Sequence, residues 1–208
     1  MLIAHSMGNP VTLYWLNNYV NDQTWKDKYI RYFVSLSPPW GGALKPLRLM
    51  ASGDNIDILV VKPISVRPYQ RSAPSTAFLM PSYNFWRYDE ILVSRPAKNY
   101  TVHDFEDFFR DIKYPEGYEL YKKTNRLLNE VNAPRVELHT LYGVDLKTPA
   151  SFIYKKESDW PDSQPSVIYG DGDGTVNKRS LLGFQRWVGQ QSQPIFFKVN
   201  FFIKIKNF

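Results

Sequence analysis

The opening residues constrain the fold of this chain more than any other segment. Residues 1–3 are apolar, residues 4–8 read AHSMG, and Asn9 and Pro10 follow. The first of these two can cap a helix, and the second is tolerated in a first helical turn. A serine flanked by small residues between a strand and a helix is typical of a nucleophile elbow, a sharp turn that lifts the hydroxyl out of the sheet. The pattern predicts a serine hydrolase or acyltransferase with Ser6 as nucleophile. The alternative is a surface serine in an ordinary turn.

A second chemical motif lies towards the other end of the chain. Residues 169–176 read YGDGDGTV after an apolar stretch, so a tight turn presents carboxylates that can orient an imidazole. Asp173 is the candidate acid. A calcium loop and a plain turn are the alternatives. The calcium loop is disfavoured because Asn177, Lys178 and Arg179 follow, without the glutamate that an EF-hand places at its twelfth position.

The histidines raise a question about the general base. Serine before aspartate is the order of the α/β-hydrolases, in which the histidine comes last, yet His5, His103 and His139 all precede Asp173. His5 is a poor base because a neighbour on the elbow cannot easily fold its ring back onto the serine. His103 is predicted on the surface at the start of a helix through Phe109. A returning core strand is predicted at 136–142, and His139 within it is predicted to be structural, with a role as catalytic stand-in as the alternative.

A family resemblance follows from six segments that occur in order between residue 1 and about residue 195. They are AHSMGNPVTLYWL, WKDKYIRYFVSLSPPWGGALKPLRLMASGDN, QRSAPSTAFLMP, KNYTVHDFEDFF, LYGVDLKTPASFIY and GDGDGTVNKRSL. These segments resemble the family of lysosomal phospholipase A2 (group XV phospholipase A2) and lecithin-cholesterol acyltransferase, the lysosomal branch more closely. The resemblance implies an α/β-hydrolase fold, a mostly parallel sheet with flanking helices and an inserted cap. It makes Ser6 the acyl-enzyme nucleophile, Asp173 the triad acid and the Met7 N–H an oxyanion donor.

The resemblance also implies an activity and a location. Full-length members would cleave a glycerophospholipid ester and pass the acyl group to water or a lipid alcohol, in the lysosome or outside the cell. A sterol acyltransferase and a catalytically dead lipid-binding fragment are the alternatives. The sequon at Asn99 coincides with a family glycosylation site. Cysteines that vertebrate relatives pair correspond to Thr140 and Phe184 here. The absence of cysteine therefore does not locate the chain.

The family pattern divides the chain into a core and a cap. Residues 1–42 and 135–199 are predicted to form the partial α/β-hydrolase core, and residues 43–134 a cap with a lid at roughly Met50 to Pro74 that gates access of lipid. Residues 200–208 form an atypical tail.

The aromatic residues of the cap carry two expectations. Phe105, Phe108 and Phe109 have helical spacing and are predicted to pack in a core. For Trp86 two interpretations are equally open: packing in a core, or exposure on a lipid-facing surface.

Both ends of the chain depart from the family pattern. The early strands, the second oxyanion donor and any signal peptide would lie before Met1, and a histidine loop is expected after the last core strand at 193–199. The tail at 200–208 is interpreted as intron read-through, with an edge strand at 203–206 as the alternative. The chain as printed is therefore expected to lack activity and to aggregate through an open sheet edge.

The composition of the chain limits which classes of binding partner are expected. The 208 residues carry a net charge of +6, with 43% hydrophobic residues and a mean hydropathy of −0.40, so no spanning segment of about 20 apolar residues is expected. The positive charge favours peripheral contact with anionic membrane surfaces. No Lys/Arg run of nucleic-acid type is present, so nucleic acid is not an expected partner. No metal-ligand spacing and no nucleotide-binding glycine loop occur, so neither a metal nor a cofactor is predicted.

Overall fold

The structure is a computed structural model that describes residues 1–56, 58–129 and 132–201. The strands of these residues are β1 (Leu2–His5), β2 (Phe33–Leu36), β3 (Val93–Arg95), β4 (Lys98–Tyr100), β5 (Leu138–Val144), β6 (Leu146–Ile153), β7 (Ser166–Gly172) and β8 (Ile195–Phe201). The α-helices are α1 (Gly8–Asn18), α2 (Gln23–Tyr29), α3 (Lys45–Ala51), α4 (Pro63–Ser72), α5 (Pro74–Phe78), α6 (Phe105–Asp111), α7 (Pro115–Thr124), α8 (Arg126–Asn129) and α9 (Lys178–Leu181). Short 3-10 helices lie at Glu157–Asp159 and Leu182–Trp187.

The described residues divide into two compact units. The first contains residues 1–40, 132–148 and 171–201, and the second contains the rest. Strands β6 and β7 each have residues in both. Residues 149–170, which the sequence analysis counted with the hydrolase core, group with the second unit. The functional division into core, cap and lid stays a prediction.

The first unit is built on a four-stranded sheet with the order β1-β2-β5-β8. All three pairings are parallel, which matches connections that run through helices rather than hairpins. Leu13 and Leu16 on α1 are fully buried, as expected for a helix that covers a face of such a sheet. The predicted mixed α/β architecture, a mostly parallel sheet with flanking helices, is confirmed.

Two predicted core strands are present with shifted ends. The strand expected over 136–142 is β5, and the one expected over 193–199 is β8, so each begins and ends two residues later than predicted. Strand β8 takes in the backbone of Asn200 and Phe201, which pair with Gly143 and Val144. The alternative edge strand at 203–206 lies outside the described residues.

The second unit surrounds an aromatic core. Its four-stranded sheet has the order β4-β3-β6-β7, with β3 antiparallel to β4 and parallel to β6. Phe105, Phe108 and Phe109 on α6 are all buried, as predicted, and Trp86 is 3% exposed. The structure thus assigns Trp86 to packing and not to a lipid-facing surface. His103 is exposed and precedes the helix, which begins two residues later than predicted, at Phe105.

Candidate active site

The elbow is visible in the backbone of Ser6. This residue lies between the last residue of β1, His5, and the first residue of α1, Gly8, and its φ is 50°. Left-handed backbone at a residue other than glycine costs about 1–3 kcal/mol and persists only where the surroundings hold it. One such contact is the Ser6 N–H, which donates to the carbonyl oxygen of Leu36 on β2 at 2.9 Å. The strand, turn and helix therefore occur in the order that the sequence predicts.

A second serine has the same backbone but lacks the same chemistry. Ser37 follows β2, has a φ of 45°, and donates its N–H to Leu141. The next residue is Pro38, which has no N–H and cannot stabilise an oxyanion. Ser6 is followed by Met7, the residue that begins α1 as its N-cap. The elbow thus offers a donor beside Ser6 that Ser37 cannot have.

Asn9 fixes the turn to the neighbouring strand. Its side chain is fully buried, and its Nδ2 donates to the carbonyl oxygens of Ser6 and Leu36, each at 2.9 Å. The expectation that Asn9 caps the helix is wrong, because the N-cap is Met7, without a side-chain capping bond. Asn9 instead lies inside the first turn and ties two carbonyl groups together, a role that its sequence position alone did not reveal.

The small residues of the motif meet at the elbow. A Cβ placed on Gly8 would lie 3.6 Å from the Cβ of Ala4, which is an ordinary contact. A side chain larger than alanine at position 4 would therefore press on the start of the helix. Because the first N–H groups of a helix lack intrahelical acceptors, the N-terminus of this 11-residue helix favours negative charge close to Ser6.

The loop that carries Asp173 begins directly after β7. Oδ1 of Asp173 accepts hydrogen bonds from the backbone N–H groups of Thr175, at 3.0 Å, and Val176, at 2.8 Å. The N–H of Asp173 in turn donates to the carbonyl oxygen of Val176. These bonds close a tight turn and fix the carboxylate, as an orienting acid requires.

Thr148 on β6 supports this turn from below. It is fully buried, and its Oγ1 donates to Leu146 O at 3.0 Å and accepts from Gly174 N–H at 2.9 Å. A Cβ at Gly172 would lie 2.3 Å from the carbonyl oxygen of Val176 and 2.6 Å from Thr148 Oγ1, so only glycine fits there. Sequence reasoning missed Thr148, because it lies 25 positions before the acid and only the fold brings the two segments together.

Both oxygens of Asp171, the other carboxylate of the motif, already have partners. Its Oδ1 accepts the backbone N–H of Asp145 at 2.6 Å, and its Oδ2 forms an ion pair with Lys178 at 2.6 Å. Burial would raise the pKa of Asp171, but the hydrogen bond from Lys178 and that from the Asp145 N–H hold it below its ordinary value. Asp173 makes no ion pair with any described residue. The geometry therefore favours Asp173 as the carboxylate that can receive an imidazole.

The sheet brings the serine and the acid to one edge. Ser6 follows the carboxyl end of β1, and Asp173 forms a parallel bridge with Leu146, just beyond the carboxyl end of β5. Strand β2 lies between β1 and β5. Neighbouring strands lie about 4.8 Å apart, so β1, which precedes Ser6, and β5, which ends two residues before the bridge partner Leu146, are separated by roughly 10 Å. The carboxyl edge of a parallel sheet is where open α/β folds bind their ligands.

Comparison with known proteins decides the family. The family model described as Lecithin:cholesterol acyltransferase matches residues 1–200. The chain belongs to this family.

Relatives within the family divide into two groups. The chain is 46% identical over 196 residues to "Lysosomal phospholipase A and acyltransferase" of Homo sapiens, and 46% identical over 195 residues to that of Mus musculus. It is 40% identical over 194 residues to "Phosphatidylcholine-sterol acyltransferase" of Gallus gallus. The matches cover 93–94% of this chain but 46% of each relative. The chain thus spans a little under half the length of these family members.

Among the described residues, no histidine side chain forms a hydrogen bond or an ion pair with Ser6 or Asp173. His5 is exposed next to the elbow. His139 lies near the amino end of β5, opposite the edge that carries Ser6, where its Nε2 is 2.5 Å from Glu137 Oε1 and its ring stacks on Phe196. His103 belongs to the second unit, and its ring centroid lies 4.4 Å from that of exposed Tyr88, with the ring planes tilted by 40°. These surroundings favour structural roles for the histidines.

The remaining predicted residues are Asn99, Thr140 and Phe184. Asn99 is exposed on β4, and the hydroxyl of Thr101 in its sequon donates to Asp104 at 2.7 Å. Glycosylation of Asn99 stays a prediction. Thr140 and Phe184, where relatives pair cysteines, are both buried in the first unit.

The described ranges contain neither a candidate metal cluster nor a candidate membrane-spanning helix. No cluster of three or more histidine, aspartate or glutamate side chains there could hold a metal ion. No helix in this part of the chain is long and apolar enough to cross a membrane.

Proposed function

We propose that the full-length protein that contains this chain is a lipid acyl hydrolase and O-acyltransferase that acts on glycerophospholipids through an acyl-serine at Ser6. The observation that carries the proposal is the left-handed turn at Ser6 between β1 and α1. The names of the relatives that are 46% identical point to phospholipase and acyltransferase chemistry. A lysosomal or extracellular location belongs to the same proposal.

The reaction assigns one step to each residue. Ser6 Oγ attacks the ester carbonyl while an imidazole oriented by Asp173 takes its proton. The Met7 N–H stabilises the oxyanion, a contribution whose loss typically costs about 10²–10³ in rate. The protonated imidazole then donates this proton to the departing lysophospholipid, whose expulsion leaves an acyl-serine. Water or a lipid alcohol attacks the acyl-serine with the same imidazole as base, and Ser6 is released with its proton restored.

The base is an imidazole other than the three of this chain. His5, His103 and His139 are all described, and none of their side chains forms a hydrogen bond or an ion pair with Ser6 or Asp173. Loss of the triad histidine costs on the order of 10⁶ in rate in the best-studied case. We therefore infer that residues 1–208 alone do not turn over lipid.

A membrane contact is proposed for an apolar tip, defined as Ile58, Leu59 and Val60. Leu59 is 95% exposed and Val60 is 92% exposed. Apolar side chains so fully exposed in one short segment are typical of surfaces that bind lipid or protein. The tip lies in the segment predicted as the lid, and exposed Lys62 follows it, which favours an anionic lipid surface.

The loop that carries the apolar tip is anchored at both ends. Buried Asp54 forms an ion pair with Arg48 and accepts the Ile56 N–H at 2.7 Å. Burial would raise the pKa of Asp54, but the bond from Arg48 holds it below its ordinary value. A Cβ at Gly53 would lie 2.2 Å from the carbonyl oxygen of Pro63, so both ends of the loop meet. The two ends of the loop are thus fixed, while the apolar side chains of the tip are exposed.

Labelling of Ser6 tests the proposed nucleophile. In the full-length protein we expect a fluorophosphonate probe to label Ser6, and Ser6→Ala to abolish both labelling and esterase activity, because the acyl-enzyme cannot form. Ser37→Ala is the matched control, since Ser37 has the same left-handed backbone. It should keep both signals. Labelling that survives Ser6→Ala would overturn the assignment.

Exchange of the two carboxylates tests the proposed acid. Asp173→Asn should lower kcat by about 10⁴, as the equivalent change does in the best-studied triad, while circular dichroism shows an intact fold. Asp171→Asn removes the ion pair with Lys178 and should have a much smaller effect, because surface ion pairs contribute about 0–1 kcal/mol. The reverse order of effects would mean that Asp171 is the acid.

Sedimentation with anionic vesicles tests the membrane contact. Replacing Leu59 and Val60 together by serine should weaken vesicle binding by about tenfold or more, because each apolar side chain contributes about 1.5–3 kcal/mol when fully buried. Hydrolysis of a soluble short-chain ester should not change. Tyr88→Ser is the control, since Tyr88 is 75% exposed in the same unit. Equal losses in the two variants would contradict a contact through the tip.

A further inference from the structure

Lys26 is a buried cation that the proposed chemistry does not use. It lies on α2 and is 1% exposed, and its ammonium donates to the carbonyl oxygen of Pro134 at 3.0 Å. Burial lowers the pKa of Lys26, and the nearby charge of Arg135 lowers it further. A buried charge is costly unless it is paired and hydrogen-bonded. A lysine ammonium can donate three hydrogen bonds, and the bond to Pro134 uses one of them.

No described carboxylate forms an ion pair with this group. Asp27, the next residue of α2, accepts a hydrogen bond from Gln23 at 2.7 Å and makes no salt bridge to Lys26. Arg135 also lacks an ion pair among the described residues. The charge of Asp27 acts on Lys26 and partly raises its pKa again, but without a direct ion pair. Two cations thus lie close together in the first unit, and neither forms an ion pair with a described carboxylate.

A cavity of about 100 Å³ opens beside these cations. Besides Lys26 and Arg135, the polar residues that line it are Asn17, Asn21 and Asn132. Asn17 Nδ2 donates to Asn132 O at 3.0 Å and holds two parts of the wall together. The walls therefore combine positive charge with amide groups that can donate or accept.

The backbone of Arg135 is fixed in a conformation that does not suit arginine. Its φ is 55°, in the left-handed region that favours glycine. Its N–H donates to Gln191 Oε1 at 2.9 Å, and its carbonyl oxygen accepts from Gln23 Nε2 at 3.0 Å. Because conformation alone would favour glycine here, the guanidinium is the feature that distinguishes this residue.

The cavity is separate from the candidate active site. Lys26 lies on the helix that leads to β2, and Arg135 lies just before β5, so both are at the amino ends of the strands. Ser6 and Asp173 lie at the carboxyl edge of the same sheet.

We propose that this cavity binds a small oxyanion of the phosphate class through Lys26 and Arg135, with the surrounding amides as additional donors. Ammonium and guanidinium groups are the usual phosphate ligands in proteins, and charge-assisted bonds to them are about twice as strong as neutral ones. The oxyanion supplies the direct ion pair that the buried ammonium does not form with any described carboxylate. It can arrive as free phosphate or as the phosphate of a lipid headgroup.

Thermal unfolding of the purified full-length protein tests the proposal. Inorganic phosphate, titrated against chloride at constant ionic strength, should raise Tm in a saturable way, because a ligand that binds the folded state stabilises it. Arg135→Gly removes one cation at a site whose backbone suits glycine, so it should fold and should weaken the phosphate effect by about tenfold or more. Lys26→Met should abolish the effect. Lys28→Met, at an exposed position of the same helix, should leave it unchanged.

A second arm distinguishes the two sources of phosphate. Vesicles with and without phosphatidic acid are sedimented with wild-type protein and with Arg135→Gly. Selective loss of phosphatidic acid binding in the variant assigns a lipid headgroup to the cavity, and equal binding together with the Tm effect assigns free phosphate. The proposal is overturned if neither form of phosphate acts on the wild type, if Arg135→Gly retains the full response, or if Lys28→Met loses as much as Lys26→Met.

Discussion

The left-handed backbone of Ser6 is the constraint on which the rest of the candidate site depends. This conformation is unfavourable for serine, and the surroundings hold it through the Ser6 N–H bond to Leu36 and through the two bonds that Asn9 Nδ2 donates. Both contacts tie the turn to β2. The strand next to the elbow therefore positions the proposed nucleophile as much as the elbow does, and Met7, the proposed oxyanion donor, is the N-cap of the helix that follows.

Asp173, the proposed acid, is held by a different set of hydrogen bonds. Its loop is closed by two N–H bonds to Asp173 Oδ1 and supported by Thr148, which joins Leu146 and Gly174. Neither serine nor acid is placed by the other. The Ser6 turn is fixed to β2 of the parallel sheet, whereas the Asp173 loop is fixed to β6, so bonds to two different strands hold these distant parts of the sequence.

Much of this arrangement could be predicted from local sequence. The order of apolar run, small-x-Ser-x-Gly and helix-compatible residues predicted the elbow, since the sterics of the turn are local. The roles of Asn9 and Thr148 were missed, because their partners are carbonyl or N–H groups that tertiary structure brings close. Trp86 could not be assigned from composition either, since an aromatic side chain suits both a core and a lipid surface. The left-handed backbone of Ser37 had no sequence signal, although Pro38 explains why that serine lacks an oxyanion donor.

The most direct test of this account is a crystal structure of the full-length protein after reaction with a fluorophosphonate. The account predicts a covalent bond from phosphorus to Ser6 Oγ, a phosphonyl oxygen within hydrogen-bond distance of the Met7 N–H, and a positive φ at Ser6. A phosphonyl group on a different serine, or a Ser6 backbone in the right-handed region, would contradict it.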